Sequence, residues 1–307
     1  MRLRFHAWQL AALLAVVCCA VIAGLYWYRT RGGTSPAELV AYLPLSSATT
    51  VYVDVDAVRR SGLLNRITGS KAAEEIEYKQ FVDATLFDYR QDLDAVAAEF
   101  HAGQVYFALR GRFHWKNLMD YAAHQGGSCK NGYCVMAGSR PDRRISFYAL
   151  RSNTMALAVA ADDYAAYQIA RKPASLNLTP PAQPLWAVVP AEELARADSL
   201  PAGVRPYIAA LKNAEQIVFA VGPSGDHLEL ALNVTCRDAR SASALLENFD
   251  GATNQLRSWT AREHPKPDPA DFTAVLLGGS FHRDDRRVLG TWPLPRGFVE
   301  AVAGGAF

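Results

Sequence analysis

Asp54 and Asp56 stand two residues apart at the end of the alternating run Val51-Tyr52-Val53. On a strand, residues at that spacing share a face. Paired carboxylates there could hold a cation or exchange protons with a substrate. The plainer reading, one solvated strand residue and one helix cap, is preferred. Asp88, Asp92 and Asp94, with Arg90 among them, form a second acidic group. A calcium loop needs regularly spaced oxygen ligands closed by a glutamate. Neither the spacing nor Glu99 meets that need, so a capped helix with a local ion pair is expected. His114 and His282 sit in matching settings, Gly111-Arg112-Phe113-His114 and Gly279-Ser280-Phe281-His282, each after an apolar run. If those two strands met in one sheet, the imidazoles could face a common cleft; otherwise each is a solvated strand-end residue. Two histidines are too few ligands to name a metal, and neither a metal nor a cofactor is expected.

Cys129 and Cys134 flank Lys130-Asn131-Gly132-Tyr133. Asn-Gly is a strong hairpin-turn signal. A turn there would set the two sulfurs across from each other and allow a local disulfide; two free thiols are the alternative. Cys18 and Cys19 read as inert packing residues, and Cys236 as a small buried residue ending a strand. The local signatures of hydrolases, zinc proteases, nucleotide-binding loops and dithiol oxidoreductases are missing. Gly222-Pro223-Ser224-Gly225 resembles a nucleophile elbow only superficially, because it falls in a hairpin turn. No catalytic residue is assigned. Trp115, Trp186, Trp259 and Trp292 are scattered, as packing residues are, rather than clustered like a sugar platform.

The most informative segment for placing these residues is the N-terminal one. Residues 8–28, WQLAALLAVVCCAVIAGLYWY, form an apolar run bounded by Trp8 and Tyr28. About 20 such residues span a bilayer core as a helix, and rings at both ends suit its interfaces. The run is longer than a secretion signal's apolar core, although Val21-Ile22-Ala23 offers a weak cleavage site. An uncleaved anchor over 1–31 is expected. Arg2 and Arg4 against Arg29 and Arg31 leave the charge bias nearly balanced, with a slight edge to a cytoplasmic N-terminus. The expected location is therefore the inner (cytoplasmic) membrane, single-pass, with the body in the periplasm or extracellular space. The formal net charge of +2 argues against a nucleic-acid partner, which would call for a concentrated basic face.

In the body, residues 32–44 read as a linker. A strand at 50–55 runs into a helix from Ala57 capped by Asp56. Amphipathic helices follow at 71–81 and 92–100. Strands are expected at 104–110, 133–137, 145–150 and 155–160, and helices at 115–125 and 162–171. The proline-bearing stretch 173–184 is the best internal boundary. Beyond it the order begins again: a strand at 185–189, two short helices, a hairpin over 217–236, a long helix at 239–262, strands at 272–279 and 288–292, and a last helix from Arg296. The recurrence of strand, helices, strands, helix and strand in units 45–172 and 185–307 is a matter of pattern, not of residue identity. The expected fold class is α+β: an N-terminal transmembrane helix followed by two ferredoxin-like antiparallel-sheet units.

This arrangement resembles bacterial membrane-anchored extracytoplasmic proteins of unknown function. The resemblance is carried by Leu43-Pro44 through Asp56, by Asp88-Tyr89-Arg90-Gln91-Asp92-Leu93-Asp94, by Gly111-Arg112-Phe113 and by residues 288–295. It implies an anchored body with duplicated α+β units and supplies neither a reaction nor a ligand. The expected function is a membrane-tethered binding or assembly protein without intrinsic catalysis, held through residues 8–28 and acting on a partner in the envelope. The alternative is an envelope-associated hydrolase whose site is made of residues distant in sequence.

Overall fold

The computed structural model describes residues 35–44, 48–61, 76–101, 103–171, 179–195, 204–263, 268 and 270–303. The apolar segment 8–28 lies outside these. Among the described residues no helix is long and apolar enough to cross a membrane.

The chain is a mixed α+β structure built on one large antiparallel sheet. Its strands are β1 (Thr49–Asp54), β2 (Leu93–His101), β3 (Gln104–Gly111), β4 (Ser128–Lys130), β5 (Tyr133–Ala137), β6 (Arg144–Arg151), β7 (Thr154–Ala160), β8 (Leu185–Val189), β9 (Gln216–Ser224), β10 (His227–Thr235), β11 (Ser280–Asp284) and β12 (Arg287–Leu294). The helices are α1 (Pro36–Val40), α2 (Val55–Arg60), α3 (Ile76–Thr85), α4 (Tyr89–Asp92), α5 (Trp115–His124), α6 (Ala191–Ala195), α7 (Arg205–Leu211), α8 (Ala239–Glu263), α9 (Phe272–Leu277) and α10 (Arg296–Ala303), with a short 3-10 helix at Ala165–Gln168.

The twelve strands among the described residues join in the order β11-β12-β10-β9-β8-β1-β2-β3-β7-β6-β5-β4. The expectation of two ferredoxin-like sheets is corrected here: β1 and β8 pair antiparallel, so both halves share one sheet. A split β-α-β unit would interleave its strands, whereas here β1, β2 and β3 are successive neighbours, as are β8, β9 and β10. Outward from the β1–β8 pair, one side reads β1-β2-β3-β7-β6 and the other β8-β9-β10-β12-β11. β1 thus matches β8 in position, as the sequence pattern suggests, but the counterpart of β9 is β2 and not β3. The β4–β5 hairpin extends the first half only.

The sheet buries a different layer on each face, because alternate residues of a strand point to opposite sides. One face carries α3 and α5 over Leu109 and Met155, and α7, α8 and α9 over Ile217, Leu232 and Val288. The other face bears the row Ala108-Ala97-Tyr52-Trp186-Ala220, five register partners on five adjacent strands, all buried. Leu39, Val40 and Leu43, each 0 % exposed, cover that row.

The part of the expected linker that is described is therefore core. Ser35-Pro36-Ala37-Glu38 starts α1: the Ser35 hydroxyl accepts from the Glu38 backbone N–H at 3.2 Å, and proline suits the first helical turn. The expected helix at 92–100 is instead strand β2. Its alanines favour helix intrinsically, but in the sheet Ala95 and Ala97 let α1 lie close against the strand. The expected strand at 272–279 is helix α9, capped by Asp271, whose carboxylate accepts from the Thr273 N–H at 3.2 Å. The following strand, β11, carries the exposed and mostly polar Ser280, His282, Arg283 and Asp284 at the sheet edge.

Cys129 and Cys134 are joined by a disulfide across the β4–β5 ladder, with Cα atoms 4.1 Å apart. Asn131 (φ 51°) and Gly132 (φ 79°) both take the left-handed backbone that a tight two-residue hairpin requires. Cys236 is buried and forms no disulfide among the described residues, and burial pushes its thiol pKa up.

Candidate functional site

The polar residues singled out in the sequence do not converge. His114 is exposed at the start of α5, and its side chain makes no capping bond. His282 is exposed on the edge strand β11. Six strands lie between β11 and β3, roughly 34 Å at about 4.8 Å per strand. The two imidazoles therefore face no common cleft.

Asp54 and Asp56 do not share a strand face, because β1 ends at Asp54. Asp54, not Asp56, caps α2: its Oδ1 accepts from the Ala57 N–H at 2.8 Å. Asp56 lies in the first turn of α2 and pairs with Arg59 at 3.1 Å and Arg60 at 3.2 Å.

The second acidic group is likewise internally bonded. Asp88 caps α4 through the Arg90 N–H and also accepts from the Tyr78 hydroxyl, each at 2.8 Å. Asp92 pairs with Arg112 at 2.8 Å. Arg59 ties this corner together by donating to the Arg90 and Leu93 carbonyl oxygens. Burial, and then the bond to Asp88, raise the pKa of the Tyr78 phenol. Asp94 is pushed upward by burial; Asp56 adds to the rise, while Arg110 foremost, with Arg59 and Arg112, opposes it. Such an arrangement holds α2 and α4 against the end of β2. Among the described residues no three His, Cys, Asp or Glu side chains are grouped to hold a metal ion.

Among the described residues, a concavity lined mainly by apolar side chains lies at the β1–β8 junction. It has a volume of about 700 Å³, within the range of small-molecule sites. Its floor is the row Val53-Leu185-Val221, register partners on β1, β8 and β9. One wall is α2, through Ala57 and Val58; another is α10, through Phe298, Val299 and Val302. Val302 remains 49 % exposed. Phe298 is braced from behind by Phe272, ring centroids 5.6 Å apart.

Backbone contacts hold the rim. The Asp54 N–H donates to the Pro184 carbonyl oxygen at 2.7 Å, which fastens the segment entering β8 against the end of β1. Gly222 lets that segment pass close by: a Cβ there would stand 2.9 Å from the Gln183 Cγ. Of the polar side chains in the lining, Tyr52, Asp54, Ser61 and Gln183, two already serve the protein. Asp54 caps α2, and the Ser61 hydroxyl donates to the Val58 carbonyl oxygen at 2.8 Å. What this cleft offers a ligand is mainly apolar surface. Sequence reasoning missed it because five separated segments contribute to it. The only local signals were the alternation of residues 51–55 and the apolar face of the last helix.

No protein-family model matches the chain, and no curated protein matches it in sequence. Among solved structures, crystal form I of TP0453 is similar over 90 % of this chain and 99 % of that one, at 10 % identity and a TM-score of 0.46. Crystal form IV of TP0453 is similar over 90 % and 98 %, at 10 % identity and a TM-score of 0.43. No functional inference follows from a likeness this distant.

Proposed function

We propose that this chain is a membrane-tethered extracytoplasmic binding protein without intrinsic catalysis, and that it receives an apolar ligand in the cleft between α2 and α10. The observation that carries this reading is the lining itself. Both halves of the sheet contribute apolar side chains to it, and its Asp54 and Ser61 side chains are already bonded to protein. Burying apolar surface is then the available driving force, at roughly 25 cal/mol per Å². The tether is residues 8–28, and the body lies in the periplasm or extracellular space. The matching strand orders on either side of β1 and β8 support reading the body as two copies of one unit, with the cleft at their junction. A protein of the envelope is the partner class that such a tethered body would meet.

The test is a titration of the purified full-length chain with 1-aminoanthracene, whose fluorescence rises in apolar surroundings. Saturable binding at one site is expected. Only unsaturable partitioning, unchanged when the cleft is filled, would refute the reading.

A further inference from the structure

Pro36, the first residue of α1, stands in the lining of the cleft. Only seven residues separate it from Tyr28, the last residue of the apolar run 8–28. The eight Cα–Cα steps from Tyr28 to Pro36 reach at most about 29 Å even when fully extended. If residues 8–28 span a bilayer, the Pro36 edge of the cleft is held within that distance of the membrane surface. The cleft cannot sample the bulk compartment as a freely diffusing body would; the nearest abundant apolar molecules are the lipids of its own membrane.

The lining fits an acyl chain better than a compact polar ligand. Its floor is a row of aliphatic side chains, Val53, Leu185 and Val221, and the facing wall adds Phe298 and Val299. An inserted hydrocarbon needs no hydrogen-bond partner, and Asp54 and Ser61 already have theirs within the protein. At the outer end of α2, Arg60 is exposed next to Ser61 of the lining. Its pairing with Asp56 is a surface ion pair at 3.2 Å, of the kind that contributes at most about 1 kcal/mol. A lipid phosphate could therefore exchange into it at little cost.

We infer that the cleft takes up an acyl chain of a lipid from the membrane to which the protein is tethered. The inference rests on the tethered-binding reading and adds the chemical class and source of the ligand. The test is photo-crosslinking of the full-length chain in vesicles of phosphatidylethanolamine and phosphatidylglycerol. Benzoylphenylalanine is placed at position 298 in the cleft or, as a control, at position 164, where Tyr164 is 64 % exposed. After irradiation, the chain labelled at 298 should gain the mass of one diacyl lipid. The chain labelled at 164 should not, and Ala57→Trp or Ser61→Trp, which fill the cleft from its wall and its rim, should abolish the gain. Circular dichroism and an intact Cys129–Cys134 bond show whether each variant is folded. Equal lipid adducts at 298 and 164, or none at 298 while 1-aminoanthracene still binds, overturn the lipid and leave the binding reading standing. A crosslink joining two chains points to a protein ligand and also overturns the lipid. A crosslink from 298 to residues 8–28 of the same chain overturns the lipid and the tether together.

Discussion

Val53 and Leu185 face each other directly across the β1–β8 ladder, with Val221 next in the same row. That pairing makes one sheet of the two halves and lays the floor of the cleft. Structure and proposed binding thus share the same three side chains, which constrains how either can be tested. Variants should act from the walls rather than from the floor.

The segment before β1 is an integral part of the core. Leu39 is fully buried against the alanine-lined strands β2 and β3. Leu39→Ala should destabilise the fold by about 2–5 kcal/mol, and Ser35→Ala by roughly 1 kcal/mol through the lost cap. Urea unfolding followed by circular dichroism measures both. A negligible effect of Leu39→Ala would show that α1 does not cover the sheet in solution.

Trp186 and Tyr52 stack at 5.3 Å on the sheet face that α1 covers, and Trp186 is 0 % exposed. Its indole N–H has no hydrogen-bond partner among the described residues. Trp186→Ala should cost about 3–5 kcal/mol. Trp186→Phe should cost clearly less, because it keeps most of the ring packing and removes the unpartnered donor. Equal losses for the two variants would contradict that account.

The Asp94 carboxyl titrates above its ordinary range because burial disfavours its charge. Folding therefore holds this proton more tightly than the unfolded chain does. The sign follows: its contribution opposes folding once pH exceeds the ordinary carboxylate value, and the opposition is complete above the raised value. Asp94→Asn should stabilise the protein near neutral pH, with the gain fading in acid. A gain that is independent of pH would rule out titration as its cause.

The Cys129–Cys134 bond closes a short hairpin at the β4 end of the sheet. Chain-entropy reasoning gives about 2 kcal/mol for a loop of that size. Cys129→Ser with Cys134→Ser should lower stability by about that amount without changing 1-aminoanthracene binding, because the cleft lies at the β1–β8 junction. Loss of binding at retained fold would show that the two regions communicate.

Fractionation should place the full-length chain in the membrane, with the body digested by protease added from the outer side. A mature soluble chain beginning near Gly24 would instead identify residues 8–28 as a cleaved signal.

Much of the strand pattern was legible because its alternation is local. Residues 133–137, 155–160 and 185–189 read as strands on period and composition alone, and the Asn131-Gly132 turn predicted the disulfide. Three segments misled for physical reasons. Ala95 and Ala97 carry helix propensity, yet they sit where α1 approaches the sheet, and packing decides. Residues 272–277 form a short apolar run, whose periodicity does not separate strand from helix; the Asp271 cap settles it. Leu39, Val40 and Leu43 are too few to show a period, although Ser35-Pro36-Ala37-Glu38 is a recognisable helix start. The cleft was not legible at all. Val53, Ala57, Leu185, Val221 and Val299 are ordinary apolar residues, and only the sheet order brings them together.

The most direct measurement is the 1-aminoanthracene titration of the full-length chain compared with its Ala57→Trp variant. Ala57 lines the cleft from α2, and the cap on its N–H involves only backbone and Asp54, so the new ring can fill space without breaking that bond. The account predicts that the saturable binding seen with the native chain disappears in the variant while its circular dichroism and unfolding midpoint are retained. Undiminished saturable binding by a folded Ala57→Trp chain would contradict it.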